Sequence, residues 1–468
     1  MRGAAALLVL AALGVAVGWD GGFDAAPQWT FAGTAGAAAL VAFVCDRACA
    51  LRLLRTPVVG VLFAIGLLSA VSAAWTIGSV ASALRAGALA AGYACIVLAV
   101  GVVARRAAEI AAAITIAAAA TAVSGLVSVT LLSGDFAERV AHQWQAEGPF
   151  GYAPALALVQ IAALPLLLTA AAGPRRLVAA AAAAGLALAA AVVALSANRL
   201  SVALTVAVLG VALAAPGKAV RTRRIDVVAL VGLVALVGLG VHEAFGGRTP
   251  RTESGEVARV LILSLIVAGA AAAGAVLHVL RRASAASVTH EPRRSRAVLA
   301  ALALAAAAVL VGVFTAPSLG ERTAERGSFT HGRLKLYRVA WDTFLDRPVE
   351  GYGAGSFFEA TLSRQSFRHR LTRYAHDLPL ELGVELGFAG IVLGLALYLA
   401  AGWTLWRARS SRALWLLGPA VSAFLLANLI DWSWHLAGVG AVFAAGLGGL
   451  TRAGRWRSDA EHPRTSRS

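Results

Sequence analysis

The chain has 468 residues, of which 59% are hydrophobic and only 14% are charged, and its mean hydropathy is +0.77. So small a charged fraction cannot cover the surface of a soluble protein of this length, which excludes the soluble globular class. The net charge of +17 arises mainly from short arginine clusters between apolar runs. This distribution indicates membrane topology signals and argues against a nucleic-acid partner. Abundant Ala, Gly and Arg with almost no Lys is typical of a GC-rich bacterial genome.

Apolar runs long enough to cross a bilayer recur along the whole chain. They predict about fourteen transmembrane helices, at residues 3–18, 29–45, 57–74, 84–104, 107–132, 153–172, 177–196, 199–215, 226–244, 257–280, 297–315, 386–406, 413–430 and 435–450. We interpret the first run as a retained helix and not as a cleaved signal peptide, since no clear cleavage site follows it. The predicted fold class is an all-α polytopic membrane bundle with one long extracytoplasmic loop of short helices, at 316–385.

The connectors between these runs form two sets, one rich in arginine and one not. Along the chain the two sets alternate without a break. The basic set is 46–55, 105–106, 175–176, 218–224, 281–296, 407–412 and the tail from 452, and the other set is 19–28, 76–83, 133–152 and 431–434. The positive-inside rule then predicts that both termini are cytoplasmic and that the long loop lies outside the cytoplasmic membrane. Three cysteines, Cys45, Cys49 and Cys95, form no zinc or redox motif and are expected to pack as small residues in the membrane. We expect no metal, and separately we expect no cofactor.

The long loop is the most informative segment, because a loop of about 70 residues without function is unusual. Its first part predicts an amphipathic helix over 331–346 that lies on the membrane surface, with Arg333 and Arg338 beside an apolar stripe. The stripe consists of Leu334, Tyr337, Trp341, Phe344 and Leu345. Pro348 is expected to end this helix.

A glycine-rich turn at 351–357 and a basic run at 364–373 follow. The turn has two interpretations: a structural turn, which we favour, or a phosphate cradle of backbone N–H groups in which Tyr352 and Gly353 take part. The basic run, which includes Arg373, is either a solvated or lipid-headgroup-binding face or an electropositive wall for a diphosphate. Composition does not separate these two interpretations.

His376 precedes a predicted helix whose N-cap is Asp377 and whose first turn holds Pro379. The positive end of the helix dipole disfavours an imidazolium there, so a neutral histidine facing outward is a candidate general base. Glu381 and Glu385 share one face of this helix and are expected to orient a partner or to face solvent.

The order of these residues resembles the O-antigen ligase-related family. The pattern consists of Arg333, Trp341, Pro348 with Gly351 and Gly353, His376-Asp377, and Glu385 with Gly387 and Gly390. The resemblance covers roughly residues 177–400. The resemblance is specific because several short motifs occur in a fixed order, whereas each motif alone is a weak signal.

The resemblance implies a polytopic, metal-independent glycosyltransferase. Such an enzyme transfers a glycan from an undecaprenyl-diphosphate-linked donor to a hydroxyl of a glycan, lipid or protein acceptor, as a ligase or a polymerase. His376 matches the family's loop histidine and is the implied catalytic base, and Arg333 matches the arginine implied to hold the diphosphate. A second family arginine corresponds more loosely to Arg199. We expect the remaining substrate contacts from Arg338, Tyr352, Gly353, Arg373, Asp377 and Glu385.

Two positions depart from the family pattern. Asp377 stands where the family usually has asparagine, which alters the hydrogen bonding expected beside His376. Pro154 stands where a family segment commonly carries asparagine, so any donor contact made by that asparagine is absent or remade.

The alternatives are a transporter or flippase, or a non-catalytic partner in envelope polysaccharide export. Ion-coupled transport is disfavoured because ionisable residues are nearly absent from the middle of the spans. The predicted organisation is an N-terminal group of helices (1–176), a ligase-like core (177–400), C-terminal helices (401–450) and a basic cytoplasmic tail (451–468).

Overall fold

A computed structural model of the chain describes residues 1–131, 135–140, 143–196, 198–214, 333–365 and 371–461. Most of these residues are helical. The helices are α1 (Arg2–Gly18), α2 (Ala25–Cys45), α3 (Arg47–Leu54), α4 (Pro57–Val71), α5 (Val80–Val103), α6 (Ala107–Leu131), α7 (Ala153–Ala171), α8 (Arg176–Leu195), α9 (Arg199–Ala214), α10 (Arg333–Asp346), α11 (Phe357–Thr361), α12 (Leu378–Arg407), α13 (Arg412–Ala427) and α14 (Ala437–Glu461).

Every predicted span that falls on described residues overlaps one of these helices. Among the described residues, seven segments are long and apolar enough to cross a membrane: Ala25–Cys45, Pro57–Ala74, Val80–Val103, Ala107–Leu131, Ala153–Ala171, Arg176–Leu195 and Leu378–Arg407. The chain is therefore a polytopic helical membrane protein. The predicted spans at 226–244, 257–280 and 297–315 lie outside the described residues, so the total of fourteen stays a prediction.

One described segment corrects the all-α expectation. The connector between α6 and α7 contains an antiparallel hairpin of β1 (Ala137–Val140) and β2 (Gln143–Ala146), in which Ala137 pairs with Ala146. Alternation of side chains over only four residues is too short a signal to predict a strand from sequence. The chain is thus mainly, but not wholly, helical.

The contacts of the chain fall into two compact units: Met1–Ala113 with Ser328–Ser468, and Ile114–Gly327. We call them the first and the second unit. This division follows contacts and not sequence similarity, so the organisation with boundaries at 176 and 400 remains a separate prediction.

The first unit is built around α5, against which α2, α4 and α14 pack. Small residues permit the close approach of these helices, as is usual in membranes. A Cβ atom on Gly87 of α5 would lie 2.6 Å from the backbone oxygen of Gly66 on α4. Tyr93 of α5 is fully buried against Gly440, and its hydroxyl donates to the backbone oxygen of Trp434 at 2.8 Å.

The second unit packs α7 against α8 and α9. Gln160 of α7 is 2% exposed, and its Nε2 donates to the backbone oxygen of Ala118 on α6 at 3.0 Å. This bond satisfies a polar group that would be costly to bury alone. At the start of α9, Asn198 Oδ1 accepts from the backbone N–H of Leu200 at 2.9 Å, which places Arg199 at the first helical position.

Candidate functional site

The glycine loop between α10 and α11 lies against a break in α12. Gly387 has φ +66° and ψ −154°, a conformation essentially restricted to glycine, and it divides α12 into two segments. Gly351, with φ +67°, packs so closely that a Cβ atom would lie 2.5 Å from the backbone oxygen of Glu385. Gly353, with φ +91°, touches Thr76 in the connector before α5. The glycines therefore allow three backbone segments to meet.

The backbone N–H groups of this loop are used within the protein. Those of Tyr352 and Gly353 donate to the backbone oxygens of Val384 and Glu385 at 3.0 and 2.7 Å. That of Ala354 donates to Ser72 Oγ at 2.8 Å, and that of Phe357 donates to Glu385 Oε1 at 3.2 Å. These bonds favour the structural interpretation of the turn over the phosphate cradle.

His376 occupies the position just before α12, as the sequence predicted. Asp377 is the N-cap and accepts from the backbone N–H of Leu380 at 2.9 Å, and Pro379 lies in the first turn. Burial raises the pKa of the Asp377 carboxyl above its usual range, while the bond from Leu380 acts in the opposite direction. His376 has φ +57°, and among the described non-glycine residues only Asp20 shares a positive φ.

Three contacts hold the backbone around His376. The backbone N–H of Ala375 donates to Glu381 Oε2 at 2.8 Å, and that of Leu378 donates to the backbone oxygen of Asn428 at 2.8 Å. The hydroxyl of Tyr337 on α10 lies 3.3 Å from the backbone oxygen of His376. Burial raises the pKa of Tyr337 to about 12, so this hydroxyl remains a donor at neutral pH. These contacts fix the backbone at His376.

A carboxylate faces the His376 ring. Nδ1 of His376 lies 3.7 Å from Oδ1 of Asp431, which is 4% exposed and precedes a 3-10 turn at Ser433–His435. Nδ1 is buried and has no hydrogen-bond partner among the described residues. The separation is slightly too long for a hydrogen bond, but it suits an ion pair once the ring is protonated.

A second histidine–carboxylate pair lies beside the first. Nε2 of His435 lies 2.5 Å from Oε1 of Glu381. The His435 ring stacks on Tyr374 with centroids 4.1 Å apart, and Tyr374 also stacks with Trp432 at 5.3 Å. Burial is the largest influence on the Tyr374 hydroxyl and raises its pKa, whereas the guanidinium groups of Arg85 and Arg373 act to lower it.

The predicted arginines have different surroundings. Arg333 is half-buried at the start of α10, whereas Arg338 and Arg373 are exposed. Arg364, part of the predicted basic run, pairs with Asp346 at 2.6 Å, and residues 366–370 of that run lie outside the described residues. Arg199 is half-buried in the second unit. Its predicted role at the site stays a prediction.

The helix α10 agrees with the predicted amphipathic helix in extent but has two apolar faces. Leu336, Ala340 and Phe344 are buried in the first unit, whereas Leu334, Trp341 and Leu345 are exposed together with Arg338. Of the predicted stripe, only Phe344 is buried. The exposed part remains suited to a membrane surface.

Sequence reasoning missed Asp431 and His435 as site residues. Both belong to a short connector more than fifty residues beyond His376, and neither stands in a recognisable motif. The alternation of connectors assigns 431–434, and hence Asp431, to the same side as the long loop, whereas His435 was predicted to begin the span at 435–450. In the described part of the chain, no group of three or more His, Cys, Asp or Glu side chains is placed to hold a metal ion.

Fold and site together define a multi-pass helical membrane protein in which His376, just before α12, faces the buried carboxylate of Asp431. Residues 258–395 match the family model described as O-antigen ligase, and this segment includes His376 and Arg333. The predicted resemblance to this family is thereby confirmed over that segment, which is shorter than the 177–400 expected from the sequence. None of the curated proteins compared with the chain matches it.

Proposed function

We propose that the chain is a glycosyltransferase that moves a glycan from an undecaprenyl-diphosphate-linked donor to an acceptor hydroxyl at the outer face of the cytoplasmic membrane. The coarser conclusion, a membrane protein of glycan ligase or polymerase type, comes from the family match. The observation that carries the finer proposal is His376, held just before α12 with Asp431 3.7 Å from its Nδ1.

In this reaction, Nε2 of His376 takes the proton of the acceptor hydroxyl while the oxygen attacks the anomeric carbon. The bond from that carbon to the diphosphate oxygen breaks, and the diphosphate leaves with the electron pair. Asp431 stabilises the imidazolium that forms, because the charged ring then faces a buried carboxylate. The anomeric configuration is inverted in this single displacement.

The leaving diphosphate needs positive charge. Arg333 is the first candidate because it lies on α10, whose Tyr337 contacts the backbone of His376. The planar guanidinium group suits phosphate oxygens, and it supplies charge stabilisation of the kind that a metal ion supplies elsewhere. We expect Arg338 and Arg373 to add to this electrostatic stabilisation, and Tyr352, Gly353, Asp377 and Glu385 to shape the site. A contact from Arg199 to the diphosphate stays a prediction from the sequence.

The test uses purified protein in lipid with an undecaprenyl-diphosphate glycan, and it measures released lipid diphosphate. We expect His376→Ala to lower kcat/KM by about 10²–10⁴-fold, the usual range for loss of a general base. Arg333→Ala should also lower turnover, whereas Arg409→Ala, which removes an arginine that contacts Trp406, should not. If His376→Ala retained full turnover, His376 would not be the catalytic base.

The same preparation tests the transporter alternative. Wild-type protein in liposomes would be supplied with a panel of donors and acceptors, and solute movement would be followed in parallel. Solute transport without turnover of any donor would favour the transporter.

A further inference from the structure

The carboxylate of Glu381 joins two segments that meet at the candidate site. Its Oε2 accepts from the backbone N–H of Ala375 at 2.8 Å, and its Oε1 lies 2.5 Å from Nε2 of His435. Ala375 immediately precedes His376, and His435 follows Asp431 by four residues. One buried side chain therefore connects the segment that carries the histidine to the segment that carries the carboxylate facing it.

His435 is held on several sides. Its ring stacks on Tyr374, two residues before His376, and its backbone oxygen accepts from Gln28 Nε2 at 2.7 Å. Glu381 is itself fixed in the first turn of α12, where its backbone N–H donates to the backbone oxygen of Asp377 at 2.9 Å. The link between the two segments is therefore rigid, and a rigid support of this kind fixes the orientation of a functional side chain.

We propose that Glu381 and His435 are positioning residues, which hold His376 close enough to Asp431 for the carboxylate to stabilise the imidazolium. This inference rests on the proposed function, in which His376 is the base. The 3.7 Å separation of His376 and Asp431 is close to the limit for a hydrogen bond, so a small displacement of either segment decides whether the pair closes. Misplacement of a catalytic group by about 1 Å can cost about 10²-fold in rate.

The test compares two substitutions at each position. His435→Gln keeps an N–H group that can donate to Glu381, whereas His435→Leu keeps only bulk. Glu381→Gln keeps an oxygen for the Ala375 N–H and an amide for His435, whereas Glu381→Leu removes both. Glu359→Leu, which changes an exposed glutamate on α11, is the matched control.

For the two leucine variants we expect kcat to fall about tenfold or more, with donor KM within about twofold of wild type. The glutamine variants should recover most of kcat, and Glu359→Leu should match wild type. If His435→Gln were as inactive as His435→Leu, His435 would handle a proton itself and the positioning role would be wrong. Unchanged kcat in the leucine variants, or losses that only follow the folded fraction, would also overturn it.

A second readout does not depend on turnover. The rate at which diethyl pyrocarbonate modifies His376, followed by peptide mass, reports how firmly the ring is held. It should rise about threefold or more in His435→Leu and return towards wild type in His435→Gln. Equal rates in all variants would overturn the inference. Failure of the glycosyltransferase proposal would instead appear as inactive wild-type protein with the modification pattern intact.

Discussion

At position 376 a histidine adopts φ +57°, a backbone region that costs most L-residues roughly 1–2 kcal/mol. Such a conformation persists only where neighbouring contacts determine it. Here they come from Glu381 to the preceding residue, from Tyr337 to the histidine backbone, and from Asp377 as the cap of α12. These contacts therefore offset the backbone strain at His376. In this strained conformation the His376 ring lies beside Asp431.

Asp377 stands where the family usually has asparagine, and the effect of this difference on stability can be predicted. Asparagine and aspartate are equally good N-caps, so Asp377→Asn should preserve the bond from Leu380, whereas Asp377→Ala should cost about 1 kcal/mol. Burial raises the pKa of Asp377, and a raised carboxyl pKa means that stability present at low pH is lost as pH rises through the folded-state pKa. Asp377→Asn should therefore be at least as stable as wild type at pH 7.

This advantage of the asparagine variant should shrink as pH falls towards the ordinary aspartate pKa, because the wild-type carboxyl then becomes neutral. Denaturant unfolding in detergent at several pH values measures the difference. An asparagine variant that unfolds as easily as Asp377→Ala would contradict the assignment of residue 377 as a cap.

The kink in α12 shows how one element serves both membrane and site. The segment after Gly387 continues along the apolar span, while the segment before it carries Glu381, which bonds the backbone next to His376, and Glu385, which bonds the glycine loop. The glycine loop fits into the break, where the backbone N–H of Phe388 donates to the backbone oxygen of Pro348 at 2.7 Å. Without the kink, the first turns of α12 would point elsewhere and the loop would lose its support.

Two glycines of α12 give a matched test of this kink. A Cβ atom on Gly387 would lie 2.2 Å from the backbone oxygen of Val349, and its φ of +66° disfavours any side chain. We expect Gly387→Ala to destabilise the protein by roughly 2–5 kcal/mol. Gly402 has open space around its Cα, so Gly402→Ala should be neutral or stabilising by about 0.5–1 kcal/mol. Unfolding midpoints compare the two, and equal effects would contradict the role assigned to Gly387.

The sequence predicted most of the helices and strands within the described residues. Long apolar runs become helices because a bilayer leaves few other ways to satisfy the backbone. The short helix α3 and the hairpin β1–β2 were not predicted, since each is too short for periodicity to identify. In the loop, the extent of α10 was predicted well. Which of its apolar residues would be buried was not, because that depends on the element packed against it.

Across the first unit, contacts bring the connectors of each predicted set together. Those of the non-basic set meet each other and the long loop: the rings of Phe23 and Trp432 lie 5.5 Å apart, and the backbone N–H of Ile77 donates to the backbone oxygen of Tyr352 at 3.0 Å. At basic connectors, Arg2 pairs with Asp46 at 3.3 Å. This grouping agrees with the predicted alternation, while the side that faces the cytoplasm remains a prediction from charge.

Cysteine labelling tests that orientation. In a variant in which Cys45, Cys49 and Cys95 are replaced, single cysteines would be introduced at the exposed positions Val349 and Arg409. Because the loop is predicted to face outward, a membrane-impermeant maleimide should label Val349→Cys in intact spheroplasts and Arg409→Cys only after lysis. The reverse pattern would invert the topology and place His376 on the cytoplasmic side.

The sequence by itself determined that this is a multi-pass helical membrane protein, where its long described helices lie, and that His376 precedes a helix capped by Asp377. Those features follow from local composition, periodicity and capping, which a chain carries without its fold. Only the tertiary structure placed Asp431 beside His376, paired His435 with Glu381 and directed the amides of the glycine loop to Glu385 and Val384. These contacts join segments tens of residues apart, and their geometry depends on the close packing of helices, which no local pattern specifies.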